Sequence, residues 1–264
     1  MTDSRAGALL RRWRQRRRLS QLELSLLAAT STRHLSYVET GRARPSQAMI
    51  LRLAEAMEVP LRERNTLLLA AGYAPAYRES GLGEDGMAAV AGALNTMLTA
   101  HEPYPAVVVD RLWNVVCGNG AMAVFMDGLA PELAAAPPNV FRLALHPGGL
   151  AGRLVNYGQV RELFLRRLQR QVHAGGEEAL RALLEEVSAY PEPAGRPGAP
   201  GPELAAGPIQ VPLRLRTPMG ELSMFSTMAT FGSPADVTLS ELAIELFYPL
   251  DDFTAAALRQ LAGR

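Results

Sequence analysis

The sequence predicts an α+β, multidomain chain: an all-α N-terminal domain of five helices, followed by an α/β domain built on an antiparallel sheet. Three observations predict it. Residues 6–69 repeat apolar side chains at helical spacing, with small or polar breaks between short segments. Residues 74–86 are rich in Pro, Gly and acids, the composition of a linker. After Pro103 the period shortens, and three β-rich runs lie near the end of the chain. The expected division is 1–73, a linker over 74–86, and 87–264.

The first helix is expected over 6–17, with Leu9, Leu10 and Trp13 inward. Ser20 caps a second over 21–28, and Glu23 three places on offers a capping box. Thr30 or Ser31 opens a third, which stops at Gly41. Pro45-Ser46 begins a fourth that reaches about 57, and a fifth spans 61–71 with Gly72 closing it. Residues 87–100 form a helix with little charge, suited to burial. Strands follow over 106–110 and 113–117, joined by a tight turn, and Asn119 heads a helix to about 126 as its cap. Residues 156–173 and 177–190 are amphipathic helices. Residues 191–208 hold six Pro and four Gly, a loop with little capacity to bury a core. The β-rich runs are 209–216, 221–231 and 237–248, and a helix covers 255–261.

The net charge of +1 hides an asymmetry. Through Glu79 there are 14 Arg against 7 acids, and beyond it 13 Arg against 19 acids. The two parts therefore face different partners. The single cysteine, Cys117, excludes an internal disulfide and a cysteine zinc cluster, and suits a reducing, cytoplasmic setting. No apolar stretch has the length of a membrane span, so no membrane partner is expected.

Residues 19–45 read LSQLELSLLAATSTRHLSYVETGRARP, two short helices around Ala28-Ala29-Thr30, which is helix-turn-helix spacing. Leu24, Leu35 and Val38 form the buried face, leaving Thr32, Arg33, Ser36 and Tyr37 outward. A helix fits the major groove of double-stranded DNA, where Arg33 can pair bidentately with guanine. Gln21, Thr40, Arg42 and Arg44 stand where phosphates pass. Arg11, Arg12, Arg14, Arg16, Arg17 and Arg18 add positive charge, though six cations on one short segment cannot all reach one duplex.

Leu10-Arg11 with Arg14, Leu19-Ser20-Gln21, Glu23-Leu24, Val38-Glu39, Gly41 and Pro45 resemble the xenobiotic-response-element (Cro/lambda-repressor-like) helix-turn-helix family. The resemblance implies an ion pair from Arg14 to Glu39. It also implies DNA contacts by Gln21, Ser31, Thr32, Arg33 and Tyr37; the expected arrangement is half of a homodimer on a palindromic operator. Two departures stand out: Ala29 and Arg18 replace glycines of the family pattern, so either Ala29 accepts the turn with some strain or the turn differs slightly.

The order of elements beyond 87 resembles a PAS-like sensor, with PAVVVDRLWNVVCGNGAMAVF as its opening. HEPYPAVVVDRLWNVV, FRLALHPGGLAGRLVN and GELSMFSTMATFG with ELAIELFYPLD are similar to the MmyB-like regulator family. That resemblance implies an apolar pocket for a small fatty-acyl-type ligand, such as a fatty acid. Trp113, Phe125, Phe141, Leu145 and Phe164, with Met224 and Met228, are the candidate lining. Leu222, Met224 and Met228 share one strand face, and Leu242, Ile244, Leu246 and Tyr248 alternate likewise. Arg142, His146 and Arg153 are candidates to hold a ligand carboxylate. The alternative is a second domain that only dimerises or docks a partner.

Catalysis finds no support in the sequence. His101-Glu102 lacks the second His of a zinc-protease motif, because Pro105 stands there, and the other histidines are scattered. Gly118-Asn119-Gly120 is too short for a phosphate loop. No metal and no cofactor is expected, and the reading is a DNA-binding transcription regulator.

Overall fold

A computed structural model of the chain describes residues 5–134, 137–175, 177–193 and 211–262. The predicted loop 191–208 lies outside the described residues from 194 on, as do the first two residues of the β-rich run at 209. The chain forms two compact units. One takes the chain through Glu84 together with Gly232–Ser240; the other takes Asp85–Phe231 and 241 onward.

The first unit is helical: α1 (Arg5–Arg16), α2 (Gln21–Leu27), α3 (Thr32–Glu39), α4 (Gln47–Ala56) and α5 (Leu61–Ala70). Leu10, Leu24, Leu35, Ile50, Leu53 and Leu68, one or more from each helix, are fully buried in its core. Local chemistry sets the starts. Ser20 Oγ accepts from Glu23 N at 3.1 Å while Ser20 N donates to Glu23 Oε2 at 2.7 Å, a complete capping box. Ser31 and Ser46 cap α3 and α4 in the same sense.

All five helices end alike. A residue of positive φ follows each, and the next residue donates back to a carbonyl five positions earlier: Leu19 to Arg14, Thr30 to Ser25, Arg42 to Tyr37, Val59 to Ala54 and Tyr73 to Leu68. Gly41 and Gly72 take this conformation without a side-chain clash, at φ 75° and 79°. Arg18, Ala29 and Glu58 take it at φ 56°, 47° and 49° and carry a Cβ that the left-handed region disfavours. Ala29 thus accepts the turn with strain, one of the two outcomes that the departure from the family pattern leaves open.

The stretch after α5 returns along it. Asn65 Oδ1 accepts from Ala76 N and Tyr77 N, and Asn65 Nδ2 donates to Tyr77 O. Residues 232–240, which the sequence reading keeps with the second domain, fold with this unit. Val237 N donates to Arg78 O at 2.8 Å, and Ser80 N to Asp236 Oδ2 at 3.2 Å.

The second unit holds a five-stranded antiparallel sheet of order β2-β1-β5-β4-β3. Its strands are β1 (Ala106–Val109), β2 (Val115–Gly118), β3 (Leu213–Thr217), β4 (Gly220–Thr230) and β5 (Ala243–Pro249). The helices of this unit begin with α6 (Ala88–Ala100), α7 (Ala123–Met126), α8 (Pro131–Ala134) and α9 (Val140–Leu145). Two long helices, α10 (Tyr157–Gly175) and α11 (Glu178–Ser188), follow, and α13 (Asp252–Ala262) comes after α12 of the first unit (Val237–Ser240). The fold class is the predicted one: a helical region followed by an α/β domain with an antiparallel sheet.

Three local expectations are corrected. The run 237–248 does not begin as a strand. Asp236 Oδ1 accepts from Thr238 N at 2.8 Å, which nucleates the short α12 and delays β5 to Ala243. Asn119 is not a side-chain cap. Its Oδ1 accepts from Ala106 N, and its Nδ2 donates to Leu98 O and Tyr104 O, tying β1 to the end of α6. Finally, α8 and α9 are additional helices, too short for a periodic signal. Asn139 caps α9, its Oδ1 accepting from Phe141 N at 3.1 Å.

Candidate functional site

In the helical unit, the site is α3. Leu35 and Val38 are fully buried while Arg33 and His34 are exposed, so the helix shows one side to solvent and holds on by the other. Arg33 Nε donates to the Tyr37 hydroxyl at 3.0 Å, and its guanidinium lies 5.5 Å from that ring's centre. The exposed Arg33 and the half-buried Tyr37 are thus paired on the outer side of α3. Ser36 is half-buried, and Ser31 is exposed, its Oγ accepting from His34 N. Thr32 turns partly inward: its hydroxyl shares a hydrogen bond of 2.9 Å with the buried Ser25.

Beneath α3, Arg14 donates Nε to Glu39 Oε1 at 2.7 Å and Nη2 to Glu39 Oε2 at 2.8 Å, the ion pair the resemblance implies. Gln21 Nε2 donates to the same Oε2 at 2.9 Å, so this phosphate candidate is partly occupied in fastening α2 to α3. Burial pushes the Glu39 carboxyl up, but the hydrogen bonds from Arg14 and Gln21 outweigh it and hold the group below its ordinary value. Thr40 is exposed, its hydroxyl donating to Ser36 O at 2.7 Å.

The remaining arginines divide into held and open. Arg44 donates to Ala71 O at 2.8 Å and lies over the Tyr73 ring. Arg17 donates to the carbonyls of Met57 and Glu58 at the end of α4. The Arg42 side chain is exposed and makes no hydrogen bond to a described residue, so its charge is available to a phosphate.

In the second unit, a cavity of about 90 Å³ lies between the sheet and its helices. Val107, Val115, Leu213, Ser226, Glu245 and Phe247 line it from the sheet, and Phe125, Val140, Leu143, Ala144, Val160 and Phe164 from the helical side. Of the seven predicted lining residues, Phe125 and Phe164 reach it. Trp113, Phe141, Leu145 and Met224 are packed solid beside it, in a chain of edge-on rings from Trp113 to Phe141 to Phe164 at 5.1 and 5.2 Å. Met228 is 39% exposed at the far end of its strand face and stands outside the lining.

The sequence reading missed Ser226 and Glu245. Register decides which face of β5 looks inward. Val107 pairs with Glu245 and Ser226 with Phe247, so Ala243, Glu245 and Phe247 share the face of Leu222 and Met224. The alternating set Ile244, Leu246 and Tyr248 lies on the opposite face. The one available signal was a single acid, Glu245, inside an otherwise apolar strand.

The three carboxylate-holding candidates are engaged elsewhere. Arg142 grips Glu186 through two hydrogen bonds at 2.8 and 2.7 Å. His146 packs edge-on against Tyr190. Arg153 donates to the carbonyls of Val124, Asp127 and Arg216. It borders a second hollow of about 270 Å³, but the backbone already uses its donors. Among the described residues no group of three or more His, Cys, Asp or Glu is gathered to hold a metal. No helix of the described residues is long and apolar enough to cross a membrane.

A helix-turn-helix with an exposed α3, joined to a domain with an apolar cavity, defines a transcription regulator with a DNA-binding and a ligand-binding part. The sequence matches the MmyB-like transcription regulator ligand binding domain over residues 90–261 and a helix-turn-helix domain over residues 5–67. The chain belongs to the MmyB-like transcription regulator family. No curated protein matches it. Among solved structures it is similar to that of an RNA-binding light-oxygen-voltage receptor, at 13% identity and a TM-score of 0.25, over 99% of this chain and 63% of that one. The chain thus spans less than two thirds of that receptor, and a superposition this poor says nothing about function.

Proposed function

We propose that the protein is a cytoplasmic regulator of the xenobiotic-response-element type that binds operator DNA as a homodimer. A small apolar, fatty-acyl-type effector in the second domain modulates that binding. The observation that carries the DNA reading is the division of α3, with Leu35 and Val38 buried and Arg33 beside Tyr37 outward. Two such helices about 34–36 Å apart would meet successive major-groove faces of a palindrome. The chain path favours coupling to the cavity: β4 and β5 carry Ser226 and Glu245 and are joined by residues 232–240, which fold with the helical unit. An effector need contribute only about 1–3 kcal/mol of coupling to change occupancy 5–150-fold.

Selection of bound duplexes from a random pool, followed by anisotropy titration with and without a neutral long-chain acyl compound, tests this reading. A palindromic consensus whose affinity changes with the compound supports it, and unselective binding overturns it. The close packing of Trp113, Phe141, Leu145 and Met224 favours a second reading, in which the domain is a dimerisation or partner-docking core. Native mass spectrometry of the purified protein separates the two by a retained ligand.

A further inference from the structure

Thr230 ends β4 and Ala243 begins β5, and the two are partners in the ladder. A hairpin with its ends so placed closes with about two to five residues. This chain uses residues 231–242 for the connection, and 232–240 of them belong to the helical unit. Backbone chemistry fastens the excursion there. Arg78 and Asp236 form a parallel bridge, and Val237 N donates to Arg78 O at 2.8 Å. Asp236 bonds in two directions: Oδ2 accepts from Ser80 N at 3.2 Å, and Oδ1 accepts from Thr238 N at 2.8 Å in α12. Val237 is 1% exposed, and α12 lies against α5. The segment that Asp236 grips is itself tied to the helices. Asn65 on α5 holds Ala76 and Tyr77, Arg64 Nη1 donates to the Tyr77 hydroxyl at 3.2 Å, and Arg62 pairs with Glu79 at 2.5 Å. Next, α5 packs on α1, and α1 carries Arg14 to Glu39 of α3. Bonded and packed groups thus run without a break from the paired ends of β4 and β5, through Asp236, to α3.

We propose that the clasp of Asp236 on Ser80 is the element through which an occupied ligand-binding unit alters DNA binding, so that releasing it separates the two functions and leaves both in place. The proposal rests on the effector reading above and names the residue that carries its regulation. Connections longer than the geometry requires are retained chiefly where they do something, and this one is held by specific bonds at its far end. A passive connection needs neither a buried Val237 nor an aspartate bonded to a distant backbone N–H. Coupling between two sites needs an element whose arrangement both of them bias. Residues 231–242 meet that condition: they continue the two strands that carry Ser226 and Glu245, and they are bonded to the strap that lies along α5. Other ties from this unit to the excursion end in the backbone of Arg78, so Asp236 is the side chain on which substitution can act.

Anisotropy titration of the full chain on its selected duplex, with and without dodecanoate, tests this. In the wild-type chain the two dissociation constants should differ by about 5–150-fold. In Asp236→Ala the ratio should fall to within about twofold of unity, while dodecanoate still raises the melting midpoint as it does for the wild-type chain. Asp236→Asn has one amide oxygen, which cannot serve Ser80 N and Thr238 N together, so its ratio should lie between the two. That variant serves if the alanine variant folds poorly. A purely structural anchor would lower the midpoint and leave the ratio unchanged. A wild-type ratio in a folded Asp236 variant therefore overturns the proposal and leaves the effector reading standing. If dodecanoate leaves the wild-type affinity for DNA unchanged, the effector reading falls, and the coupling through Asp236 falls with it.

Discussion

Arg14 and Glu39, 25 positions apart, meet as a fork on a fork, with a glutamate side chain only 1% exposed. The pair joins α1 to α3, the proposed recognition helix. Removing one member strands a buried charge, which costs about 3–5 kcal/mol in other proteins. Arg14→Ala should therefore lower the melting midpoint of the helical unit by more than about 10 °C, followed by helical circular dichroism. A shift of a degree or two would mean that the pair does not organise the unit.

The same contact predicts a pH dependence. Glu39 is held below its ordinary value of about 4.3 in the folded chain. Folding then favours the ionised form, so the contribution is complete above the unfolded value and is lost as pH falls through the folded one. Midpoints measured from about pH 6 down to about pH 3 should decline for the wild-type chain and decline less for Glu39→Gln. Parallel curves would count against this assignment.

Arg33 and Arg42 should fail differently. Arg33, held beside Tyr37, is placed to read a base edge, so Arg33→Ala should cost about 1–3 kcal/mol on the preferred operator and little on duplexes changed at that base pair. Arg42 stands free, so Arg42→Ala should weaken all duplexes alike and reduce the salt slope by about one. Anisotropy titrations at several salt concentrations separate the two. An unchanged operator preference removes Arg33 from the readout.

The legible parts of this sequence are those set by local chemistry. Ser20 with Glu23, Ser46, Gly41 and Gly72 each bond within a few residues of themselves, so their motifs can be read in one window. The illegible parts depend on distant partners. Asn119 has the composition of a cap but is claimed by the carbonyls of Leu98 in α6 and Tyr104 ahead of β1. Arg44 looks free on the page but is taken by Ala71, 27 positions away. Alternation along β5 yields two faces, and only pairing with Val107 and Ser226 shows that Glu245, not Ile244, looks into the cavity.

The helix ends offer a stability test. Ala29 and Glu58 sit at positive φ, where Gly41 and Gly72 serve elsewhere in the same unit. Ala29→Gly should relieve the left-handed strain of about 1–2 kcal/mol, partly offset by the extra freedom of unfolded glycine. The net gain should be a few tenths to about 1 kcal/mol, a rise of a few degrees in midpoint. Glu58→Gly should act in the same direction, and the two should add, since they lie at the ends of different helices. A loss on substitution would show that the Cβ of Ala29 contributes packing that outweighs the strain.

Glu245 should behave opposite to Glu39. Burial raises its carboxyl above the ordinary value, with the Ser226 hydrogen bond and Arg167 on α10, the charged group facing it, as opposing influences. The folded chain therefore keeps a proton that the unfolded chain has released. Stability falls as pH rises from the unfolded value of about 4.3 towards the folded one, and it levels off above that. Glu245→Gln has no such proton to lose, so its advantage over the wild-type chain should grow with pH across that window and then stay constant. Denaturant midpoints of the two proteins between about pH 4 and pH 8 measure the difference directly. A difference independent of pH would mean that the carboxylate is ionised in the cavity throughout, held there by Arg167 more strongly than a 3.9 Å separation implies.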